Sequence, residues 1–372
     1  NICNFFNGKS KYLLLTFLFS SSCFSSSDIS LFIEQTKLYE NPYWSKLLHY
    51  RDGSSEIDSD NFFISKEGKT NLKKELFETI DSLEKGQNNV LCRFPLRVKW
   101  LKQNIPSLEN KIINYECSEL NQYLSLINAK YVTMVFPTAH INSPASMYGH
   151  TFLRVSSDKD TALISNAINY AAKTNDTNGL VFAYKGLFGE YEGRYSILPY
   201  YEKIKEYNSL EQRDIWEYDL DLNEEEVNRL VLHTFELKDS YSDYFFFKEN
   251  CSYNILWLLE VARSDLDLVS KFTFKTVPLD SIKILKPYNL IKDSKYRHSS
   301  MKKMKNILEK KIENKEYLES FVNENVELNE NLSVDDKISY LDFKISYLQY
   351  QRASNKIEKK EYVYRAFDGT EA

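Results

Sequence analysis

The sequence predicts an α+β chain, with a β-sheet region set between helical N-terminal and C-terminal regions. Three textures predict it. Apolar residues at helical spacing run to about residue 127, short apolar runs broken by Asn-, Ser- and Gly-rich loops start at Lys130, and Lys- and Glu-rich helical text follows Pro287. In 372 residues, 42% are hydrophobic and 27% charged, which suits a buried core and excludes wholesale disorder, collagen and a disulfide miniprotein. Lys plus Arg at 48 against Asp plus Glu at 53 leaves a formal charge of -5, so no global basic field exists for a nucleic acid. The aromatic content of 15%, from 27 Tyr and 23 Phe, suits strands and a surface that could meet lipid or glycan.

Residues 1–27 read as an export signal. Lys9 and Lys11 precede the apolar run YLLLTFLF at 12–19, and a Ser-rich stretch around Cys23 follows. The alternative is a short core helix, but nothing nearby is patterned to pack on it. Cys23 lacks the bulky upstream aliphatic of a lipidated cysteine, because Ser20 stands there. The missing initiator Met and the ending FDGTEA fit a piece of a longer product. No other run approaches the roughly 18 apolar residues of a spanning helix, so the mature chain is expected to be soluble or peripheral to a membrane.

Residues 28–127 form the expected helical N-terminal domain, with KTNLKKELFETIDSLEK as one helix and VKWLKQNIP ending at its proline. Residues 128–290 carry the strand candidates YVTMVF, TFLRV, ALISNAINYAA, LVFAY and DYFFF. Five of the 10 glycines, at 149, 179, 186, 189 and 193, fall among them and mark functional loops. Asn223 with Glu226 caps a helix whose apolar face includes Val227, Leu230 and Val231, and Asn250 caps another with Ile255, Leu258 and Leu259. Residues 291–372 read as a solvated helical hairpin, with a second helix after Ser333.

With the signal removed, Cys92, Cys117 and Cys251 remain. Cys92 and Cys117 are close in sequence and flank an amphipathic stretch, which makes them the natural disulfide in an oxidising compartment. Cys251 is left over. It stands in the first turn of the helix capped by Asn250, where amides and the helix dipole stabilise a thiolate and could hold an oxyanion. A nucleophilic cysteine needs a base, and the five histidines are 49, 140, 150, 233 and 298. His150 follows the Tyr148-Gly149 turn and opens a strand, the position of a base facing a helix start. The third polar member would come from the next strand, with Asn166 or Asn169 suiting. Against this stand an inert buried cysteine and a zinc site from His140, His150 and Cys251, for which no local ligand spacing exists.

Three segments carry a resemblance. FPTAHINSPASMYGHTFLRV, KGLFGEYEGRYSILPYYEKIKEYNSLEQRDIWEYDLDL and YFFFKENCSYNILWLLEVAR, with AINYAA between them, resemble the Lnb N-terminal periplasmic domain family of bacteria. The likeness covers about residues 131–287, and weaker similarity extends upstream through YWSKLLHYR and CRFPLRVKWL. It implies a periplasmic chain with a circularly permuted papain-like core, an antiparallel sheet packed on the helix that carries the cysteine, in which His precedes Cys. It implies Cys251 as nucleophile, His150 as general base and acid, and Asn169 as the third member, with Asn166 and Tyr170 in reserve. Ser143, Ser146, Tyr148, Arg194 and Asn250 would line the substrate cleft.

The implied reaction needs no cofactor: an acyl thioester forms on Cys251 and passes to an amine, such as a lipoprotein N-terminus. Family members that handle lipid carry spanning helices after this domain. The expected partners are a lipid, lipoprotein or peptide substrate, with peripheral membrane association and no nucleic acid. Two other readings stay open, a papain-like peptidase or amidase acting on cell-wall peptide and a non-catalytic exported binding module.

Overall fold

The computed structural model describes residues 26–112, 115–139, 149–158, 164–176, 178–310, 312, 314–323 and 326–367. Most of the expected export signal therefore falls outside the described residues, and only its last two residues enter the first helix. The N-terminal region is helical as the apolar spacing implies: α1 (Ser26–Thr36), α2 (Pro42–Leu47), α3 (Leu72–Glu84), α4 (Asn88–Arg93), α5 (Pro95–Asn104), α6 (Pro106–Glu109) and α7 (Ser118–Ile127). Asn71 starts α3 by accepting from the Lys74 amide. Between α2 and α3 sits a small hairpin of β1 (Tyr50–Arg51) and β2 (Ser54–Ser55), too short for alternation to reveal in the sequence.

The main sheet has seven antiparallel strands: β3 (Tyr131–Pro137), β4 (Phe152–Ser156), β5 (Asn166–Lys173), β6 (Tyr191–Pro199), β7 (Ile215–Leu220), β8 (Ser242–Tyr244) and β9 (Ile291–Arg297). Their order is β8-β6-β5-β4-β3-β7-β9. Val155 opposes Asn166 across β4 and β5, and Asn169 opposes Ser196 across β5 and β6. Strand alternation then sorts the core. Val132, Met134, Leu153, Val155, Ile168 and Tyr170 turn to a face covered by α10 (Glu224–Leu237) and α11 (Cys251–Ala262). Val135, Phe152, Ala167 and Ile215 turn the other way, onto Tyr200 and Tyr207.

Two strand expectations fail for local reasons. LVFAY is the body of helix α8 (Gly179–Phe188), because the Asn178 side chain accepts from the amides of Leu180 and Val181 and Gly189 ends the helix at φ 74°. Those caps outweigh the strand preference of the side chains. Within DYFFF only the first residues pair. Phe245 and Phe246 leave the strand to lie over Gly189 and Gly186, where a Cβ would come within 2.3 and 2.2 Å of their rings. Strand β9 was also illegible, since IKDSKYR is charged and mostly exposed as an edge strand can be. It carries the sheet beyond residue 290.

Helix α11 is buried along its whole length because both sides are covered. One side meets the sheet, and the other meets the N-terminal helices, where the Tyr43 hydroxyl donates to the Val261 carbonyl at 2.7 Å. The Tyr253 hydroxyl reaches the Glu56 carboxylate at 2.7 Å, and the Trp257 indole donates to the same carboxylate at 2.7 Å. A helix so enclosed has little freedom to move its first residue, Cys251. After Pro199 the chain forms α9 (Tyr200–Ile204) and continues as one turn of π-helix at Lys205–Leu210. At the C-terminal side, α13 (Ser300–Lys310), α14 (Lys315–Asn323), α15 (Val334–Ala353) and α16 (Lys359–Phe367) follow the short α12 (Pro278–Lys283). Ser333 caps α15, and Ile307, Leu318, Phe321, Val322 and Tyr340 form a separate small core there.

Candidate functional site

Cys251 is the first helical residue of α11. Its position follows from Asn250, whose Oδ1 accepts from the amides of Ser252 and Tyr253 at 3.0 and 3.3 Å while its Nδ2 donates to the carbonyls of Phe246 and Thr276. The side chain expected to line a substrate cleft is thus spent on both ends of a cap. This changes the electrostatics anticipated at the helix start. Two of the first-turn amides are consumed by Asn250, and the buried Tyr244 hydroxyl interacts electrostatically with the Cys251 amide and sulfur. Tyr244 carries no sequence signal for this role, because strand β8 places it there only through pairing with β6.

His150 reaches the same point from the sheet. Gly149 adopts φ 94°, open to glycine at low cost, and a Cβ there would lie 2.6 Å from the Phe136 ring. The His150 amide donates to the Pro137 carbonyl, which also accepts from Arg213 at 3.0 Å, so a buried guanidinium holds the turn that aims the imidazole. The ring sits beside Phe152 and Tyr207 at centroid distances of 6.0 and 5.8 Å. Its Nε2 is 2.7 Å from the Asn169 Oδ1. The next residue, Thr151, ties β4 to α11 through a 2.9 Å contact between its hydroxyl and that of Ser252, and its amide favours the charged form of the sulfur.

The electrostatics of the pair are reciprocal. Burial pushes the Cys251 thiol up, but the charge and hydrogen bond of His150, the Thr151 amide and the Ser252 hydroxyl together bring it down to about 7. Burial presses His150 towards neutrality, and the Cys251 sulfur with Asn169 reverses this, so the imidazole is held above its ordinary 6.5. The dipole of the 12-residue helix α11 acts in the same direction on the sulfur. Cys251 is only 4% exposed, whereas His150 is half-buried, so the opening to the pair is on the imidazole side. Chemically, this is a sulfur that ionises near neutral pH beside a group able to give and take a proton.

The other expected residues separate. Asn166 lies at the start of β5 with its amide towards the Leu126 carbonyl at 3.5 Å, away from His150. Tyr170 is on the opposite face of β5, packed on Tyr195 and Tyr244 at 4.8 and 5.8 Å, and its ring occupies the space a Gly193 side chain would need. Arg194 is held by Glu192 at 2.9 Å and lies 5.1 Å from the Tyr241 ring centre. Ser143, Ser146, Tyr148 and His140 lie outside the described residues. Among the described residues no cluster of three or more His, Cys, Asp or Glu could hold a metal, and no helix is long and apolar enough to cross a membrane.

Cys92 and Cys117 are joined in a disulfide with Cα atoms 5.3 Å apart, and Cys251 is a free, buried thiol. The remaining histidines are elsewhere. His49 and His233 meet at 2.9 Å in the core between α2 and α10, and His298 stands against Tyr296 at the end of β9.

No curated protein and no solved structure matches the chain significantly. Residues 36–104 match a domain of unknown function (DUF7843), and this match takes in the upstream segments YWSKLLHYR and CRFPLRVKWL. The family model of the Lnb N-terminal periplasmic domain matches residues 119–288, the stretch that contains both His150 and Cys251. The matched stretch, with strands β3 to β8 and helix α11, is similar to the Lnb N-terminal periplasmic domain family, and the protein is periplasmic.

Proposed function

We propose that the protein is an exported, Lnb-like acyltransferase that works through an acyl thioester on Cys251. The observation that carries the reading is the free thiol at the start of α11, drawn down to about 7 by an imidazole that Asn169 holds at 2.7 Å. A structural cysteine has no need of such a partner. The corresponding fold reading is a circularly permuted papain-like core, in which the strand with the histidine precedes the helix with the cysteine.

In the first step the Cys251 thiolate attacks the carbonyl carbon of an ester in the acyl donor, forming the S–C bond. The donor's C–O bond then breaks, and the His150 imidazolium gives its proton to the departing alkoxide. Negative charge on the tetrahedral oxygen is offset by the positive end of the α11 dipole, since Asn250 takes the Ser252 and Tyr253 amides and Tyr244 interacts with the Cys251 amide. In the second step neutral His150 takes a proton from an incoming amine as its nitrogen attacks the thioester carbonyl. The S–C bond breaks, the amide forms, and the thiolate–imidazolium pair is restored. Asn169 accepts from Nε2–H throughout, which leaves Nδ1 as the nitrogen that carries the mobile proton.

Intact-mass analysis after incubation with phospholipid tests the reading. A fatty-acyl increment on Cys251, absent in Cys251→Ala, is expected, and an amine added afterwards should remove it as an N-acyl product. A peptidyl adduct from cell-wall fragments in its place would select a peptidase. No adduct from either donor class in a folded protein would end the case for covalent catalysis. His150→Ala should slow adduct formation by about 10²- to 10⁴-fold.

A further inference from the structure

Helix α8 carries an unusual surface. Leu180, Val181, Tyr184, Leu187 and Phe188 recur at helical spacing on its outer side, with Leu180 84% and Phe188 63% exposed. Its inner side is satisfied by Phe182 against Phe246 at 5.0 Å and by the close approach of Gly186 to the same ring. The outer side is covered by no described residue, and no charged group interrupts it. Scattered exposed apolar side chains are ordinary, whereas a continuous stripe on one helix face marks an interaction surface.

Two loops extend the stripe towards Cys251. The Phe246 amide donates to the Gly186 carbonyl at 2.8 Å, the Thr276 amide to the Phe247 carbonyl at 2.6 Å, and the Asn250 Nδ2 to the Thr276 carbonyl at 2.7 Å. These bonds stitch α8, the segment leading into the Cys251 helix and the segment around Phe274 into one unit. Each loop offers an exposed aromatic: Phe247 at the first, and Phe274, 90% exposed, at the second.

A lysine follows an exposed aromatic in all three segments, as Tyr184-Lys185, Phe247-Lys248 and Phe274-Lys275. Asp176 and Glu249 at the edge are matched by Lys185 and Lys248, and Lys275 has no ion pair among the described residues. With exposed Glu190 beside Lys185 counted as well, the surface is close to neutral in a chain whose formal charge is -5. Aromatics that enter an apolar phase, with adjacent lysines reaching back to phosphates, are the composition of a bilayer interface. A protein partner would instead be offered pockets for its anchoring side chains, and protruding tips from three segments suit a deformable phase.

We infer that α8, with the loops bearing Phe247 and Phe274, is a docking surface for an anionic phospholipid bilayer, seated beside the cap of the Cys251 helix. The inference deepens the acyl-transfer reading and rests on it for the direction from which the donor arrives. It makes this periplasmic chain peripheral to a membrane, with the donor's acyl chains kept in lipid while the ester comes up to the sulfur.

Flotation of the full chain with vesicles of phosphatidylglycerol and phosphatidylethanolamine tests it. Wild type should float, and the double variant Phe188→Glu with Phe274→Glu should partition at least about tenfold less. Leu126→Glu, an exposed apolar residue elsewhere, should float as wild type does. Lys275→Glu should weaken binding to phosphatidylglycerol vesicles and not to phosphatidylcholine ones. The inference is overturned if wild type stays in solution, if the double variant floats equally, or if the same variant instead dissolves a dimer of the chain. Flotation of Cys251→Ala keeps docking apart from chemistry, and so does acylation of the double variant by a short-chain phospholipid below its micelle concentration. Failure of one test leaves the other intact.

Discussion

The Nε2 of His150 lies 2.7 Å from the Oδ1 of Asn169, and this contact decides which nitrogen of the ring deals with Cys251. An amide oxygen can only accept, so Nε2 carries the hydrogen and Nδ1 is left to the sulfur. Opposite register places Asn169 on the strand beside the one His150 opens, and the Gly149 turn brings the imidazole down to it.

Removing that acceptor should be felt at the sulfur. Asn169 is one of the groups that raise His150, and His150 is what lowers Cys251. In Asn169→Ala the imidazolium is less stable, so the thiolate absorbance should titrate at a higher pH than in wild type, and turnover should fall with little change in KM. Asn169→Asp, which keeps an acceptor, should restore the low titration. An unchanged midpoint in the alanine variant would show Asn169 to be mere packing.

The pH dependence of the wild type has a definite sign. Cys251 is an acid whose value is depressed to about 7, so the reactive thiolate is lost as pH falls through that value and is complete above it. Reaction with a small uncharged electrophile should rise with pH around an apparent midpoint near 7. In His150→Ala burial is opposed only by the Thr151 amide, the Ser252 hydroxyl and the helix dipole, and the midpoint should move upward from that of wild type. The two apparent values of wild type belong to the coupled pair.

Acid should weaken the fold through a different pair of rings. His49 and His233 are both buried, with Nε2 atoms 2.9 Å apart, His233 Nδ1 on Glu236 at 2.9 Å, and Trp257 stacked on His49 at 4.8 Å. Burial, then the neighbouring His233 and Arg97, holds His49 well below 6.5, so it is neutral when folded and protonates when unfolded. Stability from this group is complete above about pH 6.5 and is lost as pH falls, at about 1.4 kcal/mol per pH unit for one proton. Urea unfolding at several pH values between about 5 and 7 should show this slope. His49→Gln should flatten it, and an equal slope in that variant would assign the proton elsewhere.

The N-terminal region should depend on one buried ion pair. Arg97 and Glu75 are fully buried and 3.0 Å apart, and the guanidinium lies 4.1 Å from the ring centres of both Phe62 and Phe94. Arg97→Met keeps most of the volume and leaves Glu75 with only the Ile64 and Ser65 amides. An uncompensated buried carboxylate costs about 3–5 kcal/mol, to be read from the urea midpoint at pH 7. Glu75→Gln combined with Arg97→Met should recover much of that loss.

Sequence and structure divide along a physical line. Local signals were legible: Asn250 before CSYN marks a helix start, Asn223 with Glu226 forms a full capping box, and Tyr148-Gly149 announces the turn before His150. Each depends on bonds between residues a few positions apart, which composition and order are enough to specify. The misread segments were those where local preference competes with context. LVFAY has strand-like side chains but helix caps, and IKDSKYR has no alternation because it pairs only along one exposed edge.

The sequence by itself determined the α+β order of elements, the free cysteine at a helix start and the histidine at a turn. Tertiary structure decided what those groups meet. It put Asn169 and not Asn166 beside His150, spent the Ser252 and Tyr253 amides on Asn250, brought Tyr244 beside Cys251, and left the apolar outer face of α8 exposed. The reason is distance along the chain. Contacts between residues 19, 101 or 184 positions apart arise from strand register and helix packing, which hold only once the whole sheet has closed on α11.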